Sequence, residues 1–257
     1  MIAASVLPAR PRRDGDARAA GQRRFYAEQG YLVIPELLGR RTLARLRSAL
    51  ADVLRGARRA TRSTDKFLVV KGPAEGYHVT RVRDPSKHHQ DNPAYPHTNF
   101  DLLIVTVPLD DATPANGCLT VIPGSHRLGP LPHRFIFEGA ARTQLADPRV
   151  AADRAHWLQT PVPAGGIEVH HGNLLHSSAV NRTDGPRTTL QLWYRAADNV
   201  QVGGARDFYG WGLQVRGVDP GTVRMAEGTC KLPGGAAIRP EDRVAPPRRA
   251  AARRGRR

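Results

Sequence analysis

Residues 101–122 read DLLIVTVPLDDATPANGCLTVI, and this stretch restricts the fold more than any other in the chain. Residues 101–109 form a near-continuous apolar run rich in β-branched side chains, which predicts a buried strand. Residues 110–117 (DDATPANG) are dense in turn formers, and Asn116-Gly117 is a strong tight-turn signal. Residues 118–122 then read as a return strand, closed by Pro123-Gly124-Ser125-His126. An antiparallel sheet is expected, with the residues just upstream placed on its rim.

Those upstream residues carry chemistry. In His89-Gln90-Asp91, an extended backbone would point His89 and Asp91 the same way and Gln90 the other, because strand side chains alternate faces. An imidazole and a carboxylate are two thirds of the facial triad of non-haem Fe(II) oxygenases. A third ligand is available in His176, at the end of the short apolar segment 165–177 (GGIEVHHGNLLHS). Arg187 follows eleven residues later and opens the expected strand 187–194, on which Arg187, Thr189, Gln191 and Trp193 share one face. Arginine presents a planar fork that matches a carboxylate. His89, Asp91, His176 and Arg187 are the set that a metal-bound 2-oxoglutarate requires. Three protein ligands leave three octahedral positions, two for a bidentate keto acid and one for dioxygen.

Further pieces fall in order around this set: Phe25-Tyr26, residues 28–35 (EQGYLVIP), residues 95–99 (YPHTN), residues 109–126, His170-His171-Gly172 and His176-Ser177. On these motifs residues 24–195 resemble the phytanoyl-CoA dioxygenase family of Fe(II)/2-oxoglutarate oxygenases. The resemblance implies a mainly β fold, a double-stranded β-helix (jelly-roll, cupin-like) core with flanking α-helices. It implies iron on His89, Asp91 and His176, and 2-oxoglutarate on Arg187 helped by Ser178. It implies an enzyme that couples conversion of 2-oxoglutarate to succinate and carbon dioxide to hydroxylation of a small organic molecule, with a natural-product intermediate as the first expectation. Desaturation, epoxidation and rearrangement use the same chemistry. Related halogenases carry a small residue in place of the carboxylate, so Asp91 points to hydroxylation rather than chlorination. One departure is Asn92-Pro93, where family members often have an aromatic residue.

His97 and His126 lie in matching segments and are candidates to line the substrate pocket, with Trp193 as a pocket wall. His88 should face away from His89. His170 and His171 precede the distal ligand, and His176 is preferred over them for its spacing to Arg187.

The remaining elements are structural. Residues 25–29 suggest a short helix and 31–34 a strand. Residues 41–55 place Leu43, Leu46, Leu50, Val53 and Leu54 on one helical stripe, suited to packing against the outside of the barrel. Residues 67–70 and 77–82 read as strands. Residues 127–161 show little periodicity and are expected to be an irregular lid or pocket wall. Residues 208–212 (FYGWG) could cover the barrel mouth.

The formal charge of +16 raises the possibility of a nucleic-acid partner. Residues 1–24 hold six arginines and two aspartates, and residues 243–257 hold seven arginines and no acid, leaving +5 for everything between. Both ends read as disordered basic tails flanking one oxygenase domain over 25–242. A nucleic-acid binder would interleave basic and aromatic residues on the folded domain, so a small-molecule substrate and dioxygen are the expected partners. A metal-binding jelly roll without keto-acid chemistry is the other alternative, and it would have no need of Arg187. Two cysteines make no disulfide framework, no run reaches transmembrane length, and a cytoplasmic location is expected.

Overall fold

The computed structural model describes residues 15–58, 69–71, 77–79, 86–136, 142–147, 149–152, 156–203, 215–217 and 222–226. In chain order the elements are α1 (Gly15–Gln29), β1 (Tyr31–Ile34), α2 (Arg40–Arg58), β2 (Val69–Lys71), β3 (Tyr77–Val79), β4 (Ser86–His89), β5 (Leu102–Pro108), β6 (Leu119–Val121), β7 (His133–Ile136), β8 (Arg142–Leu145), α3 (Arg149–Ala152), β9 (Leu158–Thr160), β10 (Ile167–His171), β11 (His176–Ser178) and β12 (Thr189–Arg195). Short 3-10 turns cover Asn92–Ala94 and Ser125–Leu128.

The apolar run at 101–109 is the strand β5, and it lies inside a four-stranded antiparallel sheet of order β1-β10-β5-β12. A second antiparallel sheet has the order β4-β11-β6-β9. This pair of four-stranded sheets is the jelly roll expected from the sequence. The turn-rich segment 110–117, however, does not close a hairpin. It carries the chain from β5 in one sheet to β6 in the other, so the expected return strand is a crossover strand. Local turn chemistry is the same in both cases. Asn116 accepts from the Thr113 amide at 2.8 Å and donates to the Asp111 carbonyl at 2.7 Å. Gly117 has φ +80 and lies against the Ala179 carbonyl, so a side chain at this position would collide with backbone.

Register assigns the faces of the larger sheet. Tyr31, His170, Ile104 and Trp193 stand in one cross-strand row, and Val33, Glu168, Thr106 and Gln191 in another. These rows face the second sheet, and at one end Tyr31 and Val33 meet Val121, Val162, Leu174 and Leu119 in a core between the sheets. The opposite face carries Ile34, Ile167, Val169, Val105 and Val107, and against it α2 lays Leu43, Leu46 and Leu50. The helical stripe thus packs on the outside of the barrel as expected, each leucine contributing on the order of 1 kcal/mol for partial burial. Arg47 of the same helix donates to the Leu109 carbonyl at 2.8 Å and fixes α2 to the end of β5.

Two further expectations are revised. Residues 15–24, expected within a disordered tail, form the first part of α1, where Ala, Arg and Gln favour helix more than the basic charge opposes it. The stretch 127–161 is not irregular throughout: β7 and β8 pair antiparallel, and β9 joins β6. The β7 signal was present in the alternating His133-Arg134-Phe135-Ile136. Strand pairing of β2 with β3 holds over Val69–Lys71 and Tyr77–Val79. The basic ends 1–14 and 243–257 and the aromatic segment 208–212 lie outside the described residues. Cys118 is free and buried. Among the described residues no helix is long and apolar enough to cross a membrane.

Candidate metal centre

His89 ends β4 and His176 begins β11, and the antiparallel register sets them directly opposite each other. Their ring centroids are 4.2 Å apart. Asp91 joins them by a route other than strand alternation. Its backbone is helical (φ −76, ψ −39) and starts the 3-10 turn, with Pro93 in the first positions and the Ala94 amide donating to the Asp91 carbonyl at 2.9 Å. The extended His-x-Asp geometry read from the sequence is therefore corrected: a turn swings the carboxylate back toward the histidine pair. Asp91 Oδ1 lies 3.6 Å from His89 Nε2 and 3.9 Å from His176 Nε2. One ligand atom from each residue falls within 4.8 Å of the other two.

The donor set fits a divalent metal ion. Ligands at about 2.1 Å on adjacent octahedral positions stand about 3 Å apart, so the cluster needs only a small contraction. His176 Nδ1 lies 3.0 Å from the Leu174 carbonyl, a bond that puts the proton on Nδ1 and leaves Nε2 free to ligate. Burial, with His89 beside it, pulls the His176 pKa down to about 3. The ring is thus neutral, the form that binds metal. Burial alone would raise the pKa of Asp91. Attraction to the imidazole of His176, the hydrogen bond from His170 and the nearby His89 ring more than reverse this and hold the carboxyl well below its usual range.

Behind the triad stands a second pair of groups. His170 Nε2 is 3.2 Å from Asp91 Oδ2, and its Nδ1 is 2.9 Å from Glu168 Oε2. Both residues are almost completely buried on the inward face of β10. Burial disfavours a charged His170, but Glu168 and Asp91 outweigh it and raise the pKa to about 10. Two flanking carboxylates only accept, which requires a proton on each ring nitrogen. Sequence reading weighed His170 only as a rival to His176 and passed over Glu168. The signal was Glu168 itself, a carboxylate in an apolar strand with His170 two positions on and on the same face.

Gln90 points away from the cluster, as expected, and is fully buried. Its side chain donates to the carbonyls of Asn173 and Gly129, at 2.7 and 2.9 Å, and accepts from the Leu131 amide at 2.7 Å. Its own amide donates to His133 Nε2 at 2.9 Å. The base of the 127–161 segment is thereby tied to the residue between two of the candidate ligands. Asn92, the departure noted after the triplet, is buried and donates to Asn173 Oδ1 at 2.9 Å. The His88 ring packs at a tilt against Trp157, with centroids 4.3 Å apart.

Arg187 lies beyond the far end of β11. Its Nε donates to the Asn116 carbonyl at 3.1 Å, and its terminal nitrogens have no hydrogen-bond partner among the described residues. Burial lowers its pKa. Ser178 pairs with Leu119, two residues along β11 from the His176–Val121 pair. Trp193 shares the inward row with His170 and Ile104 and meets Tyr95 edge-on, with centroids 6.4 Å apart. His97 is buried, bonds through Nδ1 to the Tyr95 carbonyl, and bridges to Gln201. His126 is placed elsewhere: its Nε2 is 3.0 Å from the Ala27 carbonyl and its ring lies against His171, on the side of β10 opposite His170. The structure thus gathers His89, Asp91 and His176, and it does not bring His126 to them.

Fold and site define a jelly-roll protein with a candidate mononuclear metal centre held by two histidines and one carboxylate. A family model described as phytanoyl-CoA dioxygenase matches residues 70–189. The chain is 32% identical over 148 residues to a probable alpha-ketoglutarate-dependent hypophosphite dioxygenase of Stutzerimonas stutzeri, covering 56% of this chain and 51% of that protein. It is 25% identical over 246 residues to a probable phytanoyl-CoA dioxygenase of Caenorhabditis elegans, covering 72% and 78%. Among solved structures, the non-heme alpha ketoglutarate dependent carbocyclase SnoK from nogalamycin biosynthesis superposes with a TM-score of 0.54 at 22% identity, covering 74% of this chain and 88% of that one. Over residues 70–189 the chain is thus similar to the phytanoyl-CoA dioxygenase family. It spans about half the length of the Stutzerimonas relative.

Proposed function

We propose that this protein is an Fe(II)- and 2-oxoglutarate-dependent oxygenase that hydroxylates a small organic molecule, with release of succinate and carbon dioxide. The observation that carries this reading is the cluster of His89, Asp91 and His176, with ligand atoms within 4.8 Å, combined with the half-buried Arg187, which lacks an anionic partner among the described residues. Iron held there would supply activation of dioxygen alongside oxidation of the keto acid. His89 and His176 would ligate through Nε2, and Asp91 through Oδ1.

Arg187 would hold the distal carboxylate of 2-oxoglutarate. Two residues of strand separate Ser178 from His176, about 7 Å, which suits the span of a five-carbon diacid lying along β11. Arg187 would form a charge-assisted pair at its far end, with Ser178 beside it. The same arginine disfavours a metal-binding jelly roll without keto-acid chemistry. In that case a half-buried cation would remain unpaired. Trp193 and Tyr95 offer an aromatic wall on the inward side. A natural-product intermediate is the substrate class best supported, because SnoK belongs to such a pathway. With Asp91 occupying the position a halide would need, hydroxylation rather than chlorination is expected.

The test has two arms. Fe(II) and 2-oxoglutarate are added anaerobically and the visible charge-transfer band is followed, and succinate release is screened in air over candidate substrates. A band that needs both additions, with substrate-stimulated succinate, is the expected result. No band and no succinate would sink the proposal.

A further inference from the structure

On β10, Glu168 and His170 turn a carboxylate and an imidazole toward the metal cluster, and each side chain is only about 1% exposed. Placing such groups inside a sheet costs stability unless each finds a partner. They find each other: Nδ1 of His170 lies 2.9 and 3.1 Å from the two oxygens of Glu168. Glu168 has no other hydrogen-bond partner among the described residues. The remaining ring nitrogen, Nε2, is 3.2 Å from Asp91 Oδ2. The two oxygens of Asp91 are therefore distinguished. Oδ1 faces His89 and His176, while Oδ2 is engaged from behind.

We propose that His170 and Glu168 are positioning residues that confine Asp91 to single-oxygen ligation. His170 engages Oδ2, and Glu168 fixes the ring that does so. The inference rests on the reading of His89, Asp91 and His176 as metal ligands. Its consequence is a coordination count. A free Asp91 carboxylate could chelate through both oxygens and take one of the three positions that a bidentate keto acid and dioxygen require. With Oδ2 engaged, the three positions stay open. Groups that orient a ligand in this way commonly change metal affinity by about 10- to 100-fold when removed.

The two bonds of His170 can be cut separately. A glutamine amide nitrogen reaches the place of Nε2, and an asparagine amide nitrogen the place of Nδ1. Full-length wild type, His170→Gln and His170→Asn are titrated with Co(II) alone under anaerobic conditions, recording affinity, the visible d–d spectrum and unfolding temperature. His170→Gln keeps the Asp91 bond. It should bind Co(II) within about threefold of wild type with an unchanged spectrum, although Glu168 loses its partner and stability drops. His170→Asn keeps the Glu168 bond and frees Oδ2. Its affinity should fall about 10- to 100-fold, and its spectrum should change as the coordination number rises. Equal affinities and spectra in the two variants would overturn the proposal.

Should neither variant fold, Glu168→Gln keeps an acceptor for Nδ1–H and Glu168→Leu does not. Only the leucine variant should lose affinity, by about tenfold, and equality between them overturns the proposal in the same way. Absence of Co(II) binding by the wild type is a separate outcome. It sinks the metal-site reading itself, and the inference with it.

Discussion

The side-chain amide of Gln90 donates to the Asn173 carbonyl across 2.7 Å, so the residue between two candidate ligands anchors the turn from β10 to β11. The same side chain serves Gly129 and Leu131, so it ties the end of the strand that carries His89 to the segment leading into His176. Gln90→Leu conserves volume but strands buried backbone groups at Asn173 and Leu131. Such groups cost about 1–3 kcal/mol each when unsatisfied. We expect the variant to lose about 2–4 kcal/mol of stability in urea, measured without metal. A loss below about 0.5 kcal/mol would mean that water or a local shift replaces these bonds.

Arg187 should discriminate between metal and cosubstrate. Removing one partner of a buried charge pair costs on the order of 2–5 kcal/mol. Arg187→Ala is expected to raise the 2-oxoglutarate requirement by at least about 30-fold while Fe(II) affinity stays near wild type. Arg187→Lys should recover only part of the loss, because a point charge cannot form the two parallel bonds of the guanidinium. An unchanged 2-oxoglutarate dependence would assign the distal carboxylate to another residue.

Stability should fall on acidification, in part through His97. Burial lowers its pKa from 6.5 to about 4, with a smaller opposing pull from the Tyr95 carbonyl. Between these values the unfolded chain holds a proton that the folded protein refuses, so stability rises with pH across the window. The contribution is complete above about pH 6.5, shrinks as pH drops toward 4, and is flat below. Its full size is on the order of 1–3 kcal/mol. His97→Asn, which cannot titrate, should show a shallower loss between pH 7 and pH 4.5 in urea unfolding. Identical slopes in the two proteins would contradict neutral burial of this ring.

Much of the fold was legible because long-range pattern and local propensity agree. The run at 101–109 became β5, and the stripe of Leu43, Leu46 and Leu50 became the face of α2 that covers it. The proximity of His89, Asp91 and His176 was also readable. Less legible was anything set by partner choice. Asn116-Gly117 makes a tight turn whether the chain doubles back or crosses to the second sheet, so β6 was assigned to the wrong neighbour. Asp91 leaves the strand because Asn92-Pro93 begins a turn whose amides it receives, and alternation rules do not apply past that point. Glu168 and His170 could have been paired from spacing alone, but their target, Asp91 in the turn after β4, is 77 or more residues upstream in sequence and visible only in the fold.

The last prediction concerns Asp91, where both oxygens have assignments. Asp91→Ala removes one of the three proposed ligands and also strands His170 Nε2, which has Asp91 Oδ2 as its partner at 3.2 Å. Fe(II) affinity and succinate formation should collapse together, by about 100-fold or more, the equivalent of breaking a buried pair worth about 3 kcal/mol. Asp91→Asn is the more discriminating change. It keeps the size of the side chain and one oxygen, yet it cannot satisfy both neighbours. If the amide oxygen turns toward the metal, its NH2 group meets the N–H of His170, donor against donor. If the oxygen turns toward His170, the NH2 group faces the metal and cannot ligate. The asparagine variant should therefore lose most of the affinity that the alanine variant loses, despite its near-identical shape. The measurement is an anaerobic Fe(II) titration with 2-oxoglutarate present, following the visible charge-transfer band. A wild-type band and turnover in Asp91→Asn would show that this carboxylate neither ligates the metal nor receives His170, and Asp101 would be the next carboxylate to examine.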